Sequence, residues 1–155
     1  MRPSSVSILD PNLRVDLIDN MDLYRARLAE AVELAHLVKA SDEDLLLLRP
    51  GCRPEEAIQE WRSAERLLVL TEGSRGAQAW TPEGLHVAWR ETGGLPVVDT
   101  VGAGDTFQAA LLARLETRGF LREALREEES LGLLRYACES ALLNCSRPGC
   151  QPPTR

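Results

Sequence analysis

The residues with the clearest chemical potential form one run, Asp99-Thr100-Val101-Gly102-Ala103-Gly104-Asp105. It lies between a short apolar stretch, Pro96 to Val98, that reads as a strand, and a long Ala- and Leu-rich helical pattern. Glycines at 102 and 104 allow a tight bend in which backbone N–H groups converge, and the following helix adds the positive end of its dipole there. Such a turn suits an anion, a phosphate above all. Asp105, at the first helical positions, is then a carboxylate held beside a bound phosphate, which is how a phosphoryl-transfer base is placed. The same residues also suit a plain strand-to-helix turn capped by its aspartate, and both readings stand at this level.

Two other phosphate motifs are excluded by residue type. A Walker loop requires G-x-x-x-x-G-K-[ST], and Lys39, the only lysine, lies far from any such setting. A dinucleotide fingerprint requires a third glycine where this chain has Phe107, whose ring obstructs close helix-to-strand packing.

The elements that must position this turn alternate between strand and helix patterns, as in a mainly parallel, Rossmann-like α/β sheet flanked by helices. Val6 to Leu9 predicts a strand, and Asp22 to Leu37 a helix with Tyr24, Leu28, Ala31 and Ala35 on one face. Leu37 to Ala40 is a second strand. Ser41 followed three residues later by Asp44 predicts a capping box, and Pro54-Glu55-Glu56 opens a helix reaching about Ala64. Arg66 to Thr71 reads as a buried strand, and Ala77 to Thr81 with Leu85 to Trp89 as a hairpin around Pro82-Glu83-Gly84. Thr92-Gly93-Gly94 is a loop. The main helix runs from Gly104 to Arg118 with Phe107, Leu111 and Leu115 stacked, then a connector through Glu127-Glu128-Glu129 leads to a last helix, Leu131 to Leu143. Arg147 to Arg155 is Pro-rich loop.

The 155 residues suit one domain able to bury a real core. A net charge of −6 argues against a broad nucleic-acid surface. Cys52, Cys138, Cys145 and Cys150 show neither C-x-x-C nor metal spacing, which fits a reduced cytoplasmic protein. There is no apolar run of about 20 residues and no signal-like leader, so neither a membrane partner nor export is expected.

Five segments in one order make a resemblance specific. Asp10-Pro11-Asn12-Leu13-Arg14 ends a strand as D-x-N-x-R, and Lys39-Ala40-Ser41-Asp42-Glu43 resembles K-x-S-[DN]-E. Thr71-Glu72-Gly73-Ser74-Arg75-Gly76-Ala77 resembles T-x-G-x-x-G-[AV], Asp99 to Asp105 matches D-T-x-G-A-G-D, and Ser146 to Pro153 resembles the closing S-R-x-G-A-x-P. The chain resembles the C-terminal part of the ribokinase-like (PfkB-type) carbohydrate kinases, most of all the fructokinases.

The resemblance implies residues 1–155 as a single partial domain, the ATP-binding and catalytic half of a transferase, with Mg²⁺ as cofactor. It implies Asp105 as general base for a sugar hydroxyl, and Gly102, Ala103 and Gly104 as donors to the transferred phosphoryl group. Thr71, Gly73 and Gly76 resemble a loop approaching nucleotide phosphates, or form an ordinary strand-to-hairpin turn. Ser41 and Asp44 stand where many members place a magnesium- and phosphate-linked pair, or simply cap a helix. Ala137 and Cys138 align with an adenine-facing helix, or pack in the core. Asn12 and Arg14 are candidates for substrate or phosphate, with pairing of Arg14 to Asp16 or Asp19 as the other reading. Asp99 and the carbonyls of Val101, Asn144, Arg147 and Gly149 match a monovalent-cation site for K⁺, although Pro153 stands where a hydroxyl ligand is expected. The N-terminal half, with most of the sugar pocket and its lid, is expected on a missing segment or another chain, which leaves a sheet edge to pair with that half or with a second copy. The function expected is ATP-dependent phosphoryl transfer to a sugar. The alternatives are a non-catalytic nucleotide-binding or oligomerisation module and a nucleoside kinase of the same family.

Overall fold

The computed structural model describes residues 6–90, 92, 95–117, 119 and 124–153. Five strands form one mixed, mostly parallel sheet in the order β1-β2-β3-β4-β5, flanked by helices. They are β1 Ile8–Leu9, β2 Leu37–Ser41, β3 Leu67–Thr71, β4 Ala77–Trp80 and β5 His86–Trp89. The helices are α1 Met21–Leu34, α2 Asp42–Leu48, α3 Pro54–Gln59, α4 Ala103–Thr117 and α5 Glu127–Cys145. The chain divides into two compact units, residues 1–72 with 79–86, and residues 73–78 with 87–155.

In the first unit the parallel ladders pair Ile8 with Leu37 and run from Leu37 opposite Leu67 to Ser41 opposite Thr71. Ser41 and Thr71 therefore end their strands level with each other, whereas β1 stops at Leu9, opposite Val38. β2 and β3 are buried almost throughout, because helices cover a parallel sheet and its strands then need apolar side chains on both faces. Val38, Ala40, Leu68 and Leu70 pack with Leu45 of α2, Ala57 and Ile58 of α3, and Trp80. Leu28 and Val32 of α1 pack with Leu13 and Leu48.

In the second unit α4 packs on α5, with Phe107, Leu111 and Leu115 buried along α4 and Leu133, Leu134, Ala137 and Cys138 along α5. The predicted i, i+4, i+8 stripe is thus the buried face of α4.

The hairpin forms as expected: Thr81 N–H donates to the Leu85 carbonyl at 2.9 Å, and Gly84 takes φ +97°. Several boundaries move. The first strand shrinks to Ile8–Leu9, and α1 stops at Leu34 because Ala35 is extended. α3 ends at Gln59 rather than near Ala64. Glu127 to Glu129 are not a connector but the first turn of α5, where three acids favour the positive helix end and Glu129 accepts from Arg126 N–H at 3.0 Å. Pro96 to Val98 is not a strand: Pro96 has no N–H to give, and Val98 N–H donates to the Cys145 carbonyl at 2.7 Å instead of to a ladder. Of the predicted Thr92-Gly93-Gly94 loop, the two glycines lie outside the described residues, as does Arg118 at the end of the main helix. All four cysteines are free thiols. Among the described residues no helix is long and apolar enough to cross a membrane.

Candidate active site

The turn before α4 is held by its own aspartate and by the segment after α5. One oxygen of Asp99 accepts from Val101 N–H at 3.0 Å, and the other from Gly149 N–H at 2.9 Å. These donors, Val101 first, hold the Asp99 carboxyl below its usual pKa by favouring the charged form. Asn144 is fully buried, donates its amide N–H to the Val101 carbonyl at 2.8 Å, and accepts from Gln151 N–H at 2.8 Å. Gly102 has φ +73°, and a Cβ there would collide with the Cys150 sulfur, so glycine is required by conformation and by space together. Burial, with the Asp99 charge beside it, pushes the Cys145 thiol up.

The helix begins three residues earlier than a cap at Asp105 requires. Thr106 N–H donates to the Gly102 carbonyl at 2.8 Å, so Gly102 caps α4 and Asp105 is its third residue. Ala103 N–H is engaged by the Thr100 carbonyl at 3.1 Å. The N–H groups of Gly102, Gly104 and Asp105 have no acceptor among the described residues, and the exposed Asp105 carboxylate has no partner among them either. The turn therefore presents three open donors at a helix N-terminus with an acceptor-only side chain beside them, an arrangement able to hold an anion and take up a proton next to it.

In the other unit, the ends of β1 and β2 carry a second polar cluster. Lys39, 5% exposed, pairs with Asp10 at 2.7 Å, and Asp10 also accepts from Asn12 N–H at 3.2 Å. The Ser41 and Asp44 capping box forms in full, and the second Asp44 oxygen accepts from Leu13 N–H at 2.8 Å. Tyr24 donates its hydroxyl to the Pro11 carbonyl at 3.2 Å; burial raises its pKa, with Asp44 and Asp10 adding to the rise. The D-x-N-x-R segment is thereby tied at three successive residues, which holds Asn12 at φ +43° with its side chain exposed. Among the described residues the Arg14 guanidinium reaches only the Leu13 carbonyl, at 3.1 Å, and pairs with neither Asp16 nor Asp19.

The other predicted residues divide. Thr71 bonds the Ala40 carbonyl at 3.5 Å at the end of β3. Gly73 opens a 3₁₀ turn at φ +55°, and Gly76 lies so close to the Trp89 carbonyl that a Cβ has no room. Ala137 is 0% and Cys138 8% exposed, which matches core packing. Arg147 is exposed, and its guanidinium has no partner among the described residues. Sequence reasoning missed two features. The Asp10–Lys39 pair spans 29 residues with no local signature, and the Asn144 side chain acts across 43, where only its carbonyl was considered.

The donor set accommodates cofactors unequally. Among the described residues no group of three or more His, Cys, Asp or Glu side chains could hold a metal. A Mg²⁺ ion at the open turn would thus be carried mostly by phosphate oxygens and water, its usual ligands in nucleotide sites. For a monovalent cation the donor set is reduced: Pro153 offers no hydroxyl, and a hydrogen bond takes one lone pair of each Asp99 oxygen and of the Val101 carbonyl.

Comparison with known proteins accords with this geometry. Residues 2–155 match the model of the pfkB family carbohydrate kinases. The fructokinase of Rhizobium leguminosarum bv. trifolii is 35% identical over 119 residues, which are 76% of this chain and 36% of that protein. A Vibrio cholerae O395 fructokinase double mutant, solved with fructose, ADP and potassium ion, superposes at TM-score 0.74 with 27% identity, over 92% of this chain and 45% of its own. An Escherichia coli putative ribokinase II with ATP and Mg²⁺ gives TM-score 0.72 and 27% identity, over 93% of this chain and 43% of its own. The chain thus spans less than half the length of each of these three proteins. With a family match across nearly every residue and the ribokinase-like architecture beneath it, the chain belongs to the pfkB family of carbohydrate kinases.

Proposed function

We propose that this chain is the ATP-binding and catalytic portion of a sugar kinase of fructokinase type, completed by a sugar-binding portion that it does not itself supply. The observation carrying this reading is the turn at 102–105, where three N–H donors and the Asp105 carboxylate are without a partner among the described residues. The γ-phosphoryl group of ATP rests on the N–H groups of Gly102, Gly104 and Asp105. Asp105 accepts the proton of a sugar hydroxyl, whose oxygen bonds to the γ-phosphorus as the bond to the β-phosphate oxygen breaks and ADP leaves. The helix end keeps Asp105 a weak base, which suffices because a loose transition state asks for the proton late. Its main task is to orient the hydroxyl. Mg²⁺, arriving with the nucleotide, would supply charge neutralisation on the phosphates. Asn12 and Arg14 are held for substrate or phosphate on an over-determined loop, and Thr71, Gly73 and Gly76 for the nucleotide. Ser41 and Asp44 act by building the strand-end loop. Four free thiols support a reducing, cytoplasmic setting.

The test is ADP release with fructose, glucose or ribose, using the chain alone and the chain fused behind the N-terminal portion of the Rhizobium fructokinase. The chain alone should bind Mg-ADP weakly and show negligible turnover, because Gly104 and Asp105 stand exposed to water that a closed sugar site would exclude. The fusion should show sugar-dependent turnover, fastest with fructose. A folded fusion that binds nucleotide without turnover would replace this reading with a non-catalytic nucleotide module.

A further inference from the structure

Asn144 stands where the turn, the end of α5 and the C-terminal segment meet. Its side chain is 0% exposed, the end of α5 places it, and both ends of its amide are engaged at 2.8 Å. The orientation is forced by the partners. Gln151 offers an N–H and must face the amide oxygen, which leaves the amide nitrogen to the Val101 carbonyl. That nitrogen also lies against the turn itself, 3.9 Å from where a Cβ on Gly102 would sit.

The oxygens gathered here are Asp99 and the carbonyl of Val101, the atoms that the family resemblance assigns to a monovalent cation. A cation at such a place links oxygens of the turn to oxygens of the C-terminal segment. In this chain hydrogen bonds make those links: Val101 to Asn144 to Gln151 on one side, and Asp99 to Gly149 on the other. We propose that the Asn144 carboxamide takes the place of the cation, so that the anion turn of this chain is ordered without K⁺. A buried amide satisfied at both ends is a rigid neutral tie, and removing it would leave the Val101 carbonyl and the Gln151 N–H without their partner. The role is one of positioning, since Asn144 touches the turn and not the reacting atoms. Its expected effect on nucleotide affinity rests on the proposed phosphate role of the turn, whereas its effect on folding does not.

The experiment is a pair of measurements on the full chain, thermal melting and calorimetric titration with Mg-ADP, each in KCl, NaCl and tetramethylammonium chloride at equal ionic strength. The wild-type chain should melt at the same temperature and bind Mg-ADP equally in all three. Asn144→Ala should lower the melting temperature in all three salts and weaken Mg-ADP by about tenfold. Asn144→Asp puts two oxygens face to face at Val101, so K⁺ but not tetramethylammonium should raise its melting temperature. A K⁺-specific rise in melting temperature of the wild-type chain would overturn the proposal, and so would an Asn144→Asp chain indifferent to all three salts. If neither variant folds, the wild-type salt series still decides. If no nucleotide binds in any salt, the kinase reading fails while the melting series continues to test the tie.

Discussion

The strand-end cluster of the first unit and the turn of the second carry similar residues in opposite states. Around Asp10, Lys39, Ser41 and Asp44, each carboxylate has a partner: Asp10 holds Lys39 and the Asn12 N–H, and Asp44 holds the N–H groups of Ser41 and Leu13. Around the turn, Asp99 is engaged in the same way, but Asp105 and three nearby N–H groups have no partner among the described residues. Saturated polar groups in a fold are architecture. Groups left open on a turn that is tied at Asp99, Val101 and Ala103 are available for chemistry, and the cost of leaving them open is small only because they face solvent. Substitutions in the first cluster should therefore move stability, and substitution of Asp105 should move turnover.

The largest stability effect is expected at Lys39. Lys39→Met leaves Asp10, whose side chain is 15% exposed, without its cation, and should cost about 3 kcal/mol in urea unfolding. The double variant Lys39→Met/Asp10→Leu should recover much of that loss. If Lys39→Met unfolds at the wild-type urea concentration, the pair does not hold the strand ends together.

A smaller effect is expected at the helix cap. Ser41→Ala removes the oxygen that accepts Asp44 N–H at 3.1 Å and should cost about 1 kcal/mol, with Mg-ADP affinity unchanged within the error of titration. A large loss of affinity at constant stability would instead place Ser41 in the nucleotide site.

The smallest is a pH effect from Asp99. Its folded pKa lies below the unfolded value, so the stability it lends is complete above the ordinary carboxylate pKa of 3.8 and falls as acid protonates it in the folded chain. Asp99→Asn should flatten the acid limb of melting temperature against pH below about pH 4. An unchanged acid limb would mean that the ties to Val101 and Gly149 contribute nothing measurable.

What was legible in the sequence was local. The Ser41-x-x-Asp44 spacing, the Pro82-Glu83-Gly84 hairpin and the Gly102 and Gly104 turn each involve neighbours along the chain, and all appear in the structure. What was not legible was either ambiguous or distant. Three consecutive glutamates look like a solvated connector and serve equally well as the first turn of a helix, where the dipole favours them. Pro96 to Val98 has the composition of a strand, yet Val97 and Val98 are about 60% exposed and the backbone bonds go to α5. No spacing rule announces that Asn144 will reach back to Val101, because that contact exists only once α4 and α5 have packed.

The central claim is that Asp105 and the open N–H groups beside it do chemistry, and that the saturated groups tying the turn do not. It is tested most directly by comparing Asp105→Asn with the parent in the active fusion, reading sugar-dependent kcat and Mg-ADP affinity from the same preparations. The amide keeps the shape but cannot take the hydroxyl proton, so kcat should fall by about 10²–10⁴ while the melting temperature is unchanged and the nucleotide Kd stays within about twofold. An Asp105→Asn enzyme with near-parent kcat would contradict the account.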